Sequence, residues 1–82
     1  MNLYVSNLDY SVQDDGLKKI FSNYGTVTSA KVILDRTTGK SRGFGFVEMP
    51  NKEEATKAIA GLDGTMNEGK SIRVSEARPK TY

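Results

Sequence analysis

The chain has 82 residues, 37% of them hydrophobic, with 12 Lys and Arg against 10 Asp and Glu and a formal net charge of +2. That length makes one domain with a modest core, and a charge this small leaves the choice of partner to where the charges sit. With neither Cys nor His in the sequence, disulfides, thiol chemistry, Cys/His zinc sites and imidazole catalysis are excluded, and neither metal nor cofactor is expected.

Met1 to Val5 carry no basic leader pattern, and no apolar run long enough to cross a membrane follows. The expectation is a soluble, cytoplasmic protein without a membrane partner. Leu3-Tyr4-Val5-Ser6 reads as a short strand closed by the turn-prone Asn7-Leu8-Asp9. Leu17, Ile20, Phe21 and Tyr24 recur at the spacing of one helical face. Asp14 and Asp15 stand in that helix's first turn and Gly25 follows its end. Gly16 lies inside the helix, where glycine costs about 1 kcal/mol relative to alanine.

Val27 to Asp35 forms a second strand with Ala30, Val32 and Leu34 on one face and Lys31, Ile33 and Asp35 on the other. A polar, basic loop, Arg36-Thr37-Thr38-Gly39-Lys40-Ser41, leads into Arg42-Gly43-Phe44-Gly45-Phe46-Val47-Glu48-Met49. As a strand, this octamer places Arg42, Phe44, Phe46 and Glu48 on one face and Gly43, Gly45, Val47 and Met49 on the other. On the octamer alone, either face could be the buried one. Asn51 with Glu54 then makes a capping pair for a second helix whose apolar face is Ala55, Ala58, Ile59 and Leu62. Gly61, Gly64 and Gly69 interrupt the following loop. A last strand from about Ser71 to Ser75 alternates Ile72 and Val74 against Arg73, and residues 78–82 form a short basic tail with Arg78 and Lys80.

The order strand, helix, strand, strand, helix, strand is the split βαβ, ferredoxin-like α+β arrangement: a four-stranded antiparallel sheet with both helices on one face. The aliphatic rows of the first, second and fourth strands belong on the covered face. Burying Arg42 and Glu48 would be costly, and Gly43 and Gly45 would let a helix approach, so Phe44 and Phe46 belong on the open face beside Tyr4. Flat rings on an open, charged face suit the stacking of nucleic-acid bases.

The octamer resembles the eight-residue ribonucleoprotein motif of the RNA recognition motif family, K/R-G-F/Y-G/A-F-V-x-F/Y, at every position but the last. Leu3-Tyr4-Val5-Ser6-Asn7-Leu8 resembles the family's six-residue companion motif. The likeness extends through Leu17 to Gly25, Asp35 to Gly39, Ala58-Ile59 to Gly64 and Ile72-Arg73-Val74. The chain most resembles the small single-domain RNA-binding proteins of bacteria and cyanobacteria. The resemblance implies an RNA recognition domain over residues 1–77 that binds single-stranded RNA by stacking bases on Tyr4, Phe44 and Phe46. It carries a phosphate or sugar contact to Arg42 and either a ligand contact or turn capping to Asn7. Met49 replaces the usual terminal aromatic on the core side, and Ser6 stands where glycine is common.

Lys31, Ile33 and Arg73 flank the rings, and Arg36, Lys40, Arg78 and Lys80 border the open face; each is either a ligand contact or ordinary solvated surface. Tyr10, on the loop after the first strand, is undecided between the two. The expected role is a non-catalytic regulator of RNA or an RNA chaperone, monomeric, with single-stranded DNA as an alternative ligand. Two rival classes share the fold: a protein- or peptide-docking module, and an acylphosphatase-like hydrolase. The hydrolase would need an anion-binding arginine after the first strand, and Asn7 to Gln13 has none.

Overall fold

The structure is a computed structural model and describes residues 1–77. The strands of the main sheet are β1 (Asn2–Ser6), β2 (Ser29–Leu34), β3 (Ser41–Glu48) and, last in the chain, β6 (Arg73–Glu76). Between them lie helices α1 (Asp14–Ser22) and α2 (Lys52–Leu62) and a small hairpin of β4 (Met66–Asn67) and β5 (Lys70–Ser71). The sheet is antiparallel in the order β2-β3-β1-β6, so the two motif-bearing strands occupy its centre. This is the expected ferredoxin-like arrangement.

Alternation decides which face is buried. Leu3 and Val5 of β1, Val32 of β2, Val47 of β3 and Val74 of β6 face one way and join Leu17 and Phe21 of α1 and Ala55 and Ala58 of α2 in one core. Met49 and Ile72, which flank strands, are fully buried in the same cluster. Burying each such aliphatic side chain stabilises the fold by roughly 1.5–3 kcal/mol before conformational entropy opposes it. Tyr24, beyond the end of α1, packs half-buried against the core and over the backbone of Gly61 on α2. Leu8 and Val12 also enter the core from the loop after β1; an irregular loop carries no periodicity by which to find them.

Gly45 lies in close contact with the backbone of β2 and with Leu17 of α1. A Cβ there would stand 2.5 Å from the Lys31 carbonyl oxygen, 3.0 Å from Leu17 Cδ2 and 3.1 Å from Val32 Cα. The expected close approach at this glycine is therefore steric. Leu34 departs from expectation: it does not join the covered face but is 56% exposed. The β2–β3 register runs Val32↔Gly45 and then Leu34↔Ser41, so β3 carries extra residues in a bulge where Gly43 adopts φ +83°. The bulge ends the covered region one turn of the pleat early.

The helix ends are held by bonds across the fold. Asn51 Oδ1 accepts from the Glu54 amide at 3.0 Å, as the capping pair requires. The reciprocal half is absent, because the Glu54 carboxylate turns instead to the Thr26 amide at 3.2 Å. Asp14, in the first turn of α1, accepts from the Val32 amide at 2.8 Å and ties that helix to the edge strand. The β4–β5 hairpin was read as loop from the sequence. Its turn places Glu68 at φ 52° and Gly69 at φ 82°, the two left-handed positions of a type I′ turn.

Candidate nucleic-acid interface

The register assembles the open face into rows. Lys31, Phe46, Tyr4 and Ser75 lie side by side across all four strands, through the pairs Lys31↔Phe46, Tyr4↔Phe46 and Tyr4↔Ser75. The next row holds Phe44, Ser6 and Arg73, through Ser6↔Phe44 and Ser6↔Arg73. Ile33 shares the face of Lys31 and is half-buried. Tyr4 is the hub of the aromatic cluster: its ring centroid is 5.5 Å from Phe46 and 5.9 Å from Phe44, with interplanar angles of 48° and 50°. The rings are tilted against one another rather than stacked face to face. Phe46 is 41% exposed, a large apolar area in water for a residue with a core available behind it.

The cations divide by how they are held. Arg42 places its guanidinium carbon 5.8 Å from the Phe44 ring centre, a cation–π distance that keeps the charge beside the ring. Lys31 is exposed next to Phe46. Arg73 is 70% exposed, but its Nε donates to Asp63 Oδ1 at 3.0 Å, so its fork is anchored at the sheet edge. Val74's amide donates to the same Asp63 oxygen at 2.9 Å. These bonds, the Val74 amide first and then the Arg73 side chain, hold the Asp63 carboxyl below its usual 3.8.

Arg36 and Lys40 project from a loop built around Asp35. The Asp35 carboxylate accepts from the amides of Thr38 and Thr37 at 3.1 and 2.8 Å, which lowers its pKa, and the backbone closes through Asp35 N–H to the Lys40 carbonyl at 2.7 Å. Those two cations are thus carried on a pinned loop. Asn7 adopts the left-handed conformation at φ 59° and donates its side-chain amide to the Ser71 carbonyl at 2.7 Å. It fastens the end of β1 to the small hairpin. Arg78 and Lys80 lie outside the described residues.

Sequence reasoning left Tyr10 open and assigned nothing to Lys70. The structure puts Lys70 Nζ 4.5 Å over the Tyr10 ring centre, with that ring 66% exposed. Sixty residues separate the two, and only the β4–β5 hairpin brings them together. Among the described residues there is no group of acidic side chains that could hold a metal ion, and no helix long and apolar enough to cross a membrane.

A strand-centred aromatic cluster flanked by cations, on the open face of a split βαβ sheet, defines a class of nucleic-acid-recognition domain. Residues 3–73 match the family model of the RNA recognition motif. The chain belongs to that family. It is 49% identical over 80 residues to RbpE of Nostoc sp., an alignment covering 98% of this chain and 81% of that protein. It is 48% identical to the chloroplastic RNA-binding protein CP31B of Arabidopsis thaliana, covering 96% of this chain and 27% of that longer protein. Among solved structures, the crystal structure of RNA Binding Protein PG1 superposes with a TM-score of 0.92 at 49% identity, covering 98% of this chain and 99% of that one. The Drosophila Sex-lethal RNA recognition domains superpose at 0.88 with 32% identity, over 95% of this chain and 50% of theirs.

Proposed function

We propose that this protein binds single-stranded RNA by stacking bases on Tyr4, Phe44 and Phe46. The observation that carries the reading is the ring cluster on the open face, half-buried Tyr4 and Phe44 with exposed Phe46, with Arg42 beside Phe44 and Lys31 beside Phe46. The similarity to the structure of an Sxl-lethal protein/RNA complex, 38% identical with a TM-score of 0.88 over 93% of this chain and 47% of that one, supports it further.

The roles divide by chemistry. The rings take base faces, which are shared by all bases, so affinity outweighs sequence preference. Arg42 and Lys31 meet phosphates, and Arg36 and Lys40 extend the same potential from the pinned loop. Arg73 reaches the ligand with its terminal nitrogens while Nε stays on Asp63. Ile33 supplies apolar contact at the rim, and Asn7 shapes the strand end and offers its amide there. Residues 1–77 serve as the recognition unit, and Arg78 and Lys80 add charge from the tail. The protein acts as a monomer in the cytoplasm, without catalysis, as a post-transcriptional regulator or RNA chaperone.

Two or three stacked bases supply roughly 2–9 kcal/mol before association and ordering costs, and with the flanking cations a dissociation constant near micromolar, about −8 kcal/mol, is expected. The test is fluorescence anisotropy with a randomised single-stranded RNA, the same strand annealed to its complement, and its DNA counterpart. Micromolar binding to the single strand with weak binding to the duplex supports the reading. Equal binding to duplex, or none to either strand, contradicts it. Tighter binding to DNA than to RNA transfers the same site to the alternative ligand.

A further inference from the structure

Leu34 follows Ala30 and Val32 along β2 with the parity of a core residue, yet nothing covers it. Asp14, the first residue of α1, accepts from the Val32 amide, so the helix starts level with Val32 and leaves Leu34 beyond its end. The leucine is more than half exposed, whereas Val12 and Val32 beside it are buried. All three line an open groove of about 1140 Å³ that runs between the first turn of α1 and the β2–β3 loop, with Tyr10 also along it. A volume above the usual small-molecule range of about 300–1,000 Å³ suits a length of extended chain. A lone exposed leucine is ordinary surface, but a leucine and a tyrosine sharing a groove floored by core valines form a patch.

The groove also departs in charge from the rest of the molecule. The whole chain carries +2, while the groove sets Asp14, Asp15 and Asp35 against Lys40 and Arg42. Arg42 is shared with the open face, where its guanidinium carbon lies 5.8 Å from the Phe44 ring centre. Two of the carboxylates are held in place, Asp14 by the Val32 amide and Asp35 by the amides of Thr37 and Thr38. Asp15 stands exposed on the same helical turn as Asp14. Among the described residues the one ion pair is Arg73 with Asp63, so no described cation lies within ion-pair reach of the groove's carboxylates. A phosphodiester chain would meet three like charges here; a segment bearing Lys or Arg meets three opposite ones.

We infer that this groove docks an extended segment of a partner protein, with one aliphatic side chain seated on Leu34 and a nearby lysine or arginine facing Asp14 and Asp15. The aliphatic anchor covers the apolar surface that α1 leaves open, on a floor already fixed by the core. The carboxylates select a basic neighbour for that anchor and reject an acidic one. Because the groove lies on the helix side of β2 and the rings lie on the opposite face of the sheet, the segment and an RNA strand are held at the same time. The site does not depend on what the rings bind.

The experiment selects random short peptides, displayed on phage, against the full chain, with counter-selection on Leu34→Ser. The enriched sequences carry an aliphatic residue with Lys or Arg close by, and labelled synthetic copies bind the wild type in anisotropy titrations. Leu34→Ser loses about tenfold in affinity, the effect of removing one apolar contact. Asp15→Lys loses about threefold at low salt and less at high salt. Both side chains are exposed, and circular dichroism confirms that both variants fold. In amide NMR of the wild type, a readout that needs no variant, the peptide shifts Val12, Asp15, Val32 and Leu34 and leaves Phe44 and Phe46 in place, with or without a single-stranded RNA present. Three results overturn the inference: no enrichment over the counter-selection, enriched peptides without a basic residue, or amide shifts confined to other parts of the chain. Displacement of the peptide by RNA overturns it in favour of a nucleic-acid path, and groove shifts that follow protein concentration alone overturn it in favour of a second copy.

Discussion

Asp63 Oδ1, just past the end of α2, accepts from both Arg73 Nε at 3.0 Å and the Val74 amide at 2.9 Å. One carboxylate oxygen thus joins the end of a helix to an outer strand and fixes the direction of a cation on the open face. Because these donors favour the ionised form, the Asp63 pKa is lower folded than its usual 3.8. Such a group stabilises the fold above its unfolded pKa and loses that contribution as pH falls through the folded value. Thermal melts of the wild type should lose stability as pH is lowered below about 4, the unfolded aspartate range. Asp63→Asn should show a shallower acid limb and a lower midpoint at neutral pH; an unchanged acid limb contradicts the assignment.

Gly45→Ala should destabilise the protein by about 1–3 kcal/mol, the usual cost of overpacking a tight site. The added methyl meets the Lys31 carbonyl oxygen and Val32 Cα, which are backbone and cannot rotate aside. Urea denaturation reads this as a lower midpoint at constant slope. A neutral result means that β2 can shift away from β3 at this position.

Gly16→Ala should do the opposite. A Cβ at this exposed helical position meets only Val12 Cγ1, at an ordinary 3.7 Å, and the backbone is not left-handed. Replacing the glycine removes unfolded-state freedom and raises helix propensity, together about 0.5–1 kcal/mol of stability. The melting temperature should rise by several degrees, at about 4–8 °C per kcal/mol for a domain of this size.

Lys31→Ala and Arg42→Ala should each weaken single-strand binding at low salt and reduce the salt slope by about 0.7, without changing base preference, because phosphate contacts carry no sequence information. Arg42→Ala should lose more, since its charge also sits over Phe44. Titrations at several salt concentrations separate the two effects. A change in base preference with an unaltered slope would mean that these side chains read base edges.

The face that carries Phe44 and Phe46 was legible because Arg42 and Glu48 share their parity and resist burial, and because Gly45 opposes them. Met49 was placed in the core by the same count, and it is fully buried. Leu34 was not legible: the bulge at Gly43 breaks the register that alternation assumes, and no composition signal announces it. The β4–β5 hairpin escaped notice because Met66 to Ser71 lacks alternating hydrophobic residues, although Glu68-Gly69 supplies the turn. Glu54 was paired with its own helix end, whereas its carboxylate is taken by Thr26. The meeting of Tyr10 with Lys70 depends on where a loop and a hairpin dock, which local sequence does not encode. Arg73 was read as a flanking cation, and its anchor at Asp63 follows only once the end of α2 lies beside β6.

The most direct measurement compares the wild type with Phe44→Ala/Phe46→Ala by fluorescence anisotropy on a randomised short single-stranded RNA, with circular dichroism confirming that both are folded. The rings lie outside the core, so the double variant should stay folded and lose at least tenfold in affinity, the effect of removing stacking worth roughly 1–3 kcal/mol per base. A folded double variant that binds as tightly as the wild type would contradict the account and leave the cations as the source of affinity.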